Sequence, residues 1–87
     1  MAYQVYILPA ALRQLAKLPL SIQDQIQQRM DALADDPRPP GTKALAGQKG
    51  FYRIRAGDYR VIYQIKDEKL TVLVVRVGHR REVYRKF

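Results

Sequence analysis

The stretch YRIRAGDYRVIYQ, residues 52–64, constrains the fold most, because it reads as two strands joined by a two-residue turn. Aromatic and β-branched residues alternate with arginines on both sides of Gly57 and Asp58. Glycine at the first central position of such a loop fits a type II′ β-hairpin. With that turn, Arg55 lies directly opposite Arg60. The stretch therefore predicts an antiparallel pair of strands.

The two faces of this hairpin differ in chemistry, because successive side chains of a strand point to opposite faces. Like charges directly opposite each other destabilise a sheet by up to about 1 kcal/mol when no anion lies between them. The alternative explanation for the arginines on this face is that their aliphatic stems cover apolar surface. We favour a face that binds an anion. The arginine set is Arg53, Arg55 and Arg60, and the predicted core set is Tyr52, Ile54, Tyr59, Val61, Tyr63 and Ile65.

Positive charge is concentrated in the second half of the 87-residue chain, whose formal net charge is +8. Residues 1–42 hold four basic and four acidic side chains, whereas residues 43–87 hold twelve basic and four acidic ones. A clustered positive surface attracts polyanions and releases their counterions on contact, so nucleic acid is the leading partner class. A solvated surface that keeps the protein in solution is the alternative.

The N-terminal half predicts one strand followed by two amphipathic helices. Residues 2–8, AYQVYIL, are rich in β-branched and aromatic side chains and precede Pro9, which suits the first turn of a helix. Apolar residues then recur at helical spacing until Pro19 interrupts the helix. Ser21 offers an N-cap hydroxyl for the second helix. The apolar stripes are Leu12, Leu15 and Ala16 in the first helix, and Ile22, Ile26, Met30 and Leu33 in the second.

The rest of the chain predicts a connection followed by a sheet. Prolines in DDPRPPGTK, residues 35–43, end the second helix because each lacks a backbone donor and fixes φ. KALAGQKG, residues 43–50, reads as a short turn that leads into the sheet. The order β-α-α-β-β-β predicts an α+β fold in a single domain, residues 1–87. A helical hairpin packs on one face of a twisted, mainly antiparallel sheet of about four strands. The last three strands are predicted over residues 51–56, 59–66 and 69–77.

The residue types present exclude several kinds of chemistry. The chain has no cysteine and one histidine, which excludes disulfides, thiolate metal sites and cysteine nucleophiles, and a zinc site is not expected. No metal or other cofactor is predicted. No apolar run approaches the roughly 18 residues of a membrane span, and the N-terminus lacks the pattern of a secretory signal. We therefore expect a cytoplasmic protein without a membrane partner.

Titratable side chains gather in VGHRREVYR, residues 77–85, after the last predicted strand. Cleavage of RNA by its own 2′-OH needs a base, cations that stabilise the pentavalent phosphorane, and an acid for the leaving 5′-oxygen. Arginines suit the second role because the guanidinium matches phosphate geometry and stays charged. The candidates for the base are His79, Tyr84 and Glu82. A stacking or phosphate-contacting role for His79 and a core-anchoring role for Tyr84 are the alternatives.

Nearly the whole chain resembles the RelE/ParE toxin superfamily, and its RelE branch most closely. The resemblance rests on YRIRAGDYRVIY and VGHRREVY and, less specifically, on LPAALRQLAKLP and DDPRPPGTKALAG. It implies the toxin of a type II toxin–antitoxin system, a metal-independent endoribonuclease that cuts translated mRNA in the A site of the 70S ribosome. It also implies a RelB-like antitoxin that neutralises the toxin, with the complex binding operator DNA through the antitoxin.

The resemblance also assigns roles to individual residues. It implies that Tyr84 is the general base, that Arg60 stabilises the phosphorane, and that Arg80 is the candidate acid for the leaving group. Arg53 and Arg55 match two basic positions of the preceding strand. Contacts with RNA or the ribosome are expected at six further basic residues, Lys43, Lys49, Arg76, Arg81, Arg85 and Lys86.

Two departures from the RelE pattern bear on the chemistry. The positions of Arg53 and Arg55 are often lysine in this branch, and arginine keeps the charge but removes a pKa that can be tuned for proton transfer. His79 stands where another basic residue can occur, and some relatives use histidine catalytically, so the base is either Tyr84 or His79. Three residues follow Tyr84, which predicts that any final helix is short or missing.

Two rival functions belong to different classes. ParE-type members of the superfamily share the fold but poison DNA gyrase by binding, and they generally lack this set of arginine, histidine and tyrosine residues. A nucleic-acid-binding module without catalysis is the third hypothesis. The combination of the hairpin and the C-terminal motif favours the nuclease.

Overall fold

The chain folds into a five-stranded mixed sheet with two helices, in a computed structural model that describes residues 2–83. The spatial strand order is β1-β5-β4-β3-β2, with β1 parallel to β5 and every other pair antiparallel. The predicted α+β class is confirmed, with one strand more than expected. The strands are β1 (Gln4–Ile7), β2 (Lys43–Ala44), β3 (Phe51–Ala56), β4 (Tyr59–Lys66) and β5 (Thr71–His79); the helices are α1 (Pro9–Ala16) and α2 (Leu20–Ala32).

The additional strand is β2, which the sequence reading assigned to a turn. Lys43 pairs with Arg53 and Ala44 with Tyr52 at the edge of β3. The edge of a sheet presents unpaired N–H and C=O groups, and the incoming connection satisfies some of them. Its two residues carry no alternating apolar pattern, so the sequence gives no sign of this pairing.

Helix α2 begins with a different cap from the one predicted. Pro19 is the N-cap, and its carbonyl accepts the N–H groups of Ile22 at 3.0 Å and Gln23 at 2.9 Å. Ser21 therefore lies inside the first turn, and no side chain caps the helix. The predicted Ser21 N-cap is wrong because Pro19, whose backbone is extended with ψ 147°, already starts the helix.

The core lies between the helices and one face of the sheet, as the hairpin pattern predicts. Tyr63 is fully buried there, and its hydroxyl donates to the carbonyl oxygen of Pro37 at 2.7 Å. Burial raises the pKa of this phenol. Tyr52 and Tyr59 are half-buried against the same cluster. The other buried members include Ile54, Val61, Ile65, Val72, Val74 and Val77 from the sheet, and Ala11, Leu15, Ile26, Met30 and Leu33 from the helical side.

Strand β5 contains one more residue than the part of β4 that it faces. Ile62 pairs with Arg76, and the next residue of β4 pairs with Val74, so Val75 forms a β-bulge. Unbroken alternation from Val74 would turn Arg76 toward the helices. The bulge instead keeps Arg76 on the opposite face and returns Val77 to the core, where it is 2% exposed.

Both outer strands are short, so each leaves part of its neighbour uncovered. β1 pairs with residues 71–74 of β5, and β2 pairs with residues 52–53 of β3. Residues 75–79 and residues 54–56 therefore have no neighbouring outer strand within the described chain. Both uncovered edges lie at the end of the sheet that holds the β3–β4 turn.

A salt bridge at the other end of the sheet joins the proline connection to the β4–β5 turn. Arg38 donates to the two carboxylate oxygens of Asp67 at 2.8 and 3.2 Å, and the Tyr3 hydroxyl donates to the same carboxylate at 2.7 Å. The guanidinium of Arg38 lies 5.1 Å from the centroid of the Tyr52 ring. The bonds from Arg38 and then Tyr3 lower the pKa of Asp67 to about 2.

None of the helices in residues 2–83 has the length and apolar character needed to cross a membrane.

Candidate functional site

The face of the sheet opposite the helices collects four arginines, Arg53, Arg55, Arg60 and Arg76, and we call it the arginine face. Arg55 lies directly opposite Arg60, and Arg53 lies opposite Ile62, so the predicted hairpin register is confirmed. Arg76 follows in the same row on the other side of Ile62. Arg55 and Arg60 thus form the pair of facing like charges that the sequence predicts.

The first two arginines lie in different environments. Arg55 is exposed, whereas Arg53 is 7% exposed and its Nη1 has no hydrogen-bond partner among residues 2–83. Its neighbour Ile62 is fully buried on the same face, so this face contains apolar as well as charged surface. A buried guanidinium nitrogen without a partner is energetically costly.

The other two arginines are held by backbone carbonyls. Nη1 of Arg60 donates to the carbonyl oxygens of Gly57 at 3.1 Å and Tyr59 at 3.2 Å. Nη1 of Arg76 donates to the carbonyl oxygen of Val83 at 3.2 Å. These bonds orient the two guanidinium groups, and the carbonyl partners of Arg60 bear only a partial charge.

The turn after β5 is tied to the β3–β4 hairpin. The N–H of Arg80 donates to the carbonyl oxygen of Asp58 at 2.8 Å, and that of Val83 to the carbonyl oxygen of His79 at 2.9 Å. Val83 is buried, and a methyl group at Gly78 would lie 3.7 Å from it. The backbone of Arg80 is therefore fixed beside the hairpin end of the arginine face.

His79 lies on the helix side of the sheet, away from the arginine face. It pairs with Tyr59, and the two rings meet edge to face with centroids 5.7 Å apart. Nδ1 of His79 accepts the N–H of Arg81 at 3.3 Å. The neutral imidazole therefore carries its proton on Nε2. The structure does not bring His79 together with Arg53, Arg55 and Arg60.

The other predicted contacts are spread along the chain. Lys43 is exposed and pairs with Arg53 at the outer edge of the sheet, while Lys49 is exposed in the turn before β3. The side chains of Arg80 and Arg81 are exposed. Within residues 2–83, no group of three acidic or histidine side chains could hold a metal ion. Three predicted site residues, Tyr84, Arg85 and Lys86, lie outside the described residues, as does the predicted short final helix.

A cleft that the sequence reading missed lies at the uncovered edge of β5, and we call it the β5 cleft. Its volume is about 390 Å³. Oε1 of Gln14 accepts the N–H of Val77 at 2.8 Å and so replaces the absent outer strand. These two residues are 63 positions apart, and no local pattern connects them. The side chains that give the β5 cleft its chemistry are Gln14, Lys17, Leu18, Tyr59, His79 and Glu82.

Residues 5–84 match the family described as the ParE toxin of the type II toxin–antitoxin system, parDE. The chain therefore belongs to the RelE/ParE superfamily of type II toxin–antitoxin toxins, as the fold and the arginine hairpin indicate.

Within that superfamily the chain is RelE-like. It is 40% identical to a RelE-like toxin protein of Escherichia coli over 82 residues, which cover 92% of this chain and 85% of that protein. It is 35% identical to the mRNA interferase toxin RelE of E. coli over 88 residues, covering 97% and 92%. A RelBE toxin–antitoxin complex from Mycobacterium tuberculosis contains a chain of the same fold, with a TM-score of 0.79, 33% identity, and coverage of 91% of this chain and 99% of that one.

Proposed function

We propose that this RelE-like toxin is an endoribonuclease that cuts translated mRNA in the ribosomal A site without a metal ion. The observation that carries the proposal is the arginine face, where Arg55 faces Arg60 and the buried Arg53 has an unpartnered Nη1. Cations placed before the substrate arrives stabilise a phosphorane without reorganising in the transition state. The similarity to the mRNA interferase toxin RelE of E. coli supports the same activity.

The reaction assigns one role to each group. Tyr84 accepts the 2′-OH proton, the 2′-oxygen attacks phosphorus, and Arg60 stabilises the phosphorane. The bond to the 5′-oxygen then breaks, Arg80 or a water molecule beside it protonates the leaving oxygen, and a 2′,3′-cyclic phosphate remains. Tyr84 is the better candidate for the base because His79 is less suited to that role. His79 lies on the helix side of the sheet, and its Nδ1 already accepts a backbone N–H.

The turn holds one of the three nitrogens of the Arg60 guanidinium. In the free protein its Nη1 is held by the carbonyl oxygens of Gly57 and Tyr59. The donors on Nε and Nη2 can therefore bind a phosphate while Nη1 keeps its carbonyl partners, because a guanidinium carries five N–H donors in a fixed fork.

The proposal includes the partners that such a toxin needs. A RelB-like antitoxin would neutralise it in the cytoplasm, and the complex would bind operator DNA through the antitoxin. The structural relative from M. tuberculosis, which is a toxin–antitoxin complex, supports this partner class. The ribosome and mRNA complete the assembly that carries out the cleavage.

Inhibition of DNA gyrase is a second candidate function, because the matching family description names ParE. The arginine face and the RelE-named relatives favour the nuclease. Mapping the 5′ ends of a message on programmed ribosomes after addition of the purified protein separates the two. Cuts at codon-defined positions support the nuclease, whereas intact message together with inhibited supercoiling by gyrase supports the ParE activity.

Substitutions test the assigned residues. We expect Arg60→Ala to slow message cleavage about a hundredfold, because it removes one cation that stabilises the phosphorane. Tyr84→Phe removes the proposed base, and we expect it to slow cleavage by at least as much. Both variants should relieve growth arrest while still binding the antitoxin. Arg13→Ala, a change of an exposed arginine on α1, is the control. Full toxicity of both variants would contradict the assignment.

A further inference from the structure

The β5 cleft brings three parts of the chain together outside the arginine face. α1 and the residues directly after it contribute Gln14 and Lys17, β4 contributes Tyr59, and β5 and the following turn contribute His79 and Glu82. The cleft exists because β1 ends opposite Val74 and leaves the rest of β5 without an outer strand. Its volume of about 390 Å³ is sufficient for a small heterocyclic ring.

The lining of the β5 cleft suits a flat ring that carries both donors and acceptors. Tyr59 and His79 present two aromatic rings, and the apolar side chain of Leu18 lies beside them. Lys17 supplies a cation, whereas Glu82 supplies a carboxylate that would repel an anion inside the cleft. A neutral nucleobase matches this mixture better than a phosphate does, because single-stranded bases are bound by aromatic stacking and hydrogen bonds.

The β5 cleft and the arginine face meet along the bulged edge of β5. Arg76 pairs with Ile62 on the arginine face and also lines the cleft. Gly78, opposite Arg60, lines the cleft as well, and Val83 packs against the position that a side chain at Gly78 would occupy. The arginine face and the β5 cleft are therefore adjacent, and they share the edge of β5 at Arg76 and Gly78.

We propose that the β5 cleft binds one unstacked base of the RNA strand whose phosphates lie on the arginine face. The inference rests on the proposed function, because it places that RNA strand on the arginine face. His79 stacks on the base, and its Nδ1 bond to the N–H of Arg81 fixes the plane of the imidazole ring. Gln14 is a positioning residue that holds the edge of β5 through Val77.

The test measures how the purified protein binds a short single-stranded RNA with 2′-O-methyl groups, which cannot be cleaved. An abasic ribose is placed at each position in turn, and affinity is read from the anisotropy of a fluorescent end label. We expect loss of the base to weaken binding about tenfold at one position and little elsewhere. Equal affinities for the intact and all the abasic RNAs would overturn the proposal.

Variants at His79 separate stacking from charge. We expect His79→Ala to abolish the difference between intact and abasic RNA, and His79→Phe, which keeps a flat ring, to retain it. Arg13→Ala, on the same side of the sheet but outside the cleft, should behave like the wild type. If His79→Phe instead weakens binding of both RNAs equally, the ring contacts a phosphate and the proposal is wrong.

The binding test of the β5 cleft and the cleavage test of the proposed function can fail independently. Message cleaved on ribosomes, combined with no sensitivity to the missing base, would overturn the base site and leave the nuclease standing. Intact message combined with a tenfold loss at one abasic position would overturn the nuclease and support the base site.

Discussion

A single buried cation, Arg53, illustrates how a side chain can serve both packing and binding. It is 7% exposed beside the fully buried Ile62, yet its Nη1 has no partner in residues 2–83. Its burial beside Ile62 agrees with the explanation by apolar coverage, and anion binding by its guanidinium stays a prediction. Arg55 is the exposed member of the set, so we expect an approaching polyanion to meet it first.

Asp67 predicts how stability changes with pH. Its pKa is about 2 in the folded protein against an ordinary 3.8, because Arg38 and Tyr3 bond to the carboxylate. Folding therefore favours the ionised form. The resulting stabilisation is present above about pH 4 and is lost as the pH falls toward 2. We expect the urea midpoint of the wild type to drop over this range more steeply than that of Asp67→Asn.

Asp35→Asn is the matched control, because Asp35 is an exposed aspartate in the connection that also carries Arg38. Its urea midpoint should follow the wild-type pH dependence. If Asp67→Asn follows the wild-type curve too, the salt bridge does not contribute to acid stability.

The β3–β4 turn shows which elements can be predicted from local chemistry. Gly57 has φ +62°, and Asp58 does not have a positive φ, which agrees with the predicted type II′ turn. We expect Gly57→Ala to lower the free energy of unfolding by about 1 to 2 kcal/mol, because alanine is strained at this φ. Urea unfolding measures the change.

Gly78→Ala provides the comparison for that measurement. Gly78 does not have a positive φ, and the added methyl group would lie at an ordinary contact distance of 3.7 Å from Val83. Gly78→Ala should therefore lower the free energy of unfolding clearly less than Gly57→Ala does. Equal decreases in the free energy of unfolding would show that the conformation of the turn is not what makes Gly57→Ala destabilising.

Elements defined by local periodicity could be predicted, and elements defined by distant partners could not. The hairpin register follows from two turn residues and from alternation, and α1 begins at Pro9 as predicted. Strand β2 depends on the free edge of β3, a feature of the assembled sheet. The β5 cleft depends in the same way on the contact of Gln14 with Val77. The arginine face could therefore be predicted and the β5 cleft could not.

Charge is separated within the whole molecule. The balanced first half of the chain supplies both helices, and the second half, with its eight surplus positive charges, supplies the arginine face. We therefore expect a polyanion to approach from the side of the arginine face. We expect RNA affinity to fall steeply with salt, because contacts with phosphates release counterions.

Arg55→Gln should reduce the slope of log affinity against log salt by about one, the effect of losing one phosphate contact. Titrations of labelled RNA at four salt concentrations measure it. Arg13→Gln removes the same charge from α1 and should leave the slope unchanged. Equal reductions in the two variants would mean that net charge alone, and not the arginine face, determines binding.

The β-bulge at Val75 has a consequence for insertions and deletions. Deleting this one residue would make the pairing regular, and Arg76, Val77 and Gly78 would keep their present faces. Deleting a neighbour inside the regularly paired part of β5 would exchange the faces of the residues beyond it unless the bulge moved. A one-residue gap at position 75 between related chains would therefore leave the arginine face intact, and the strand can change its length there without changing its chemistry.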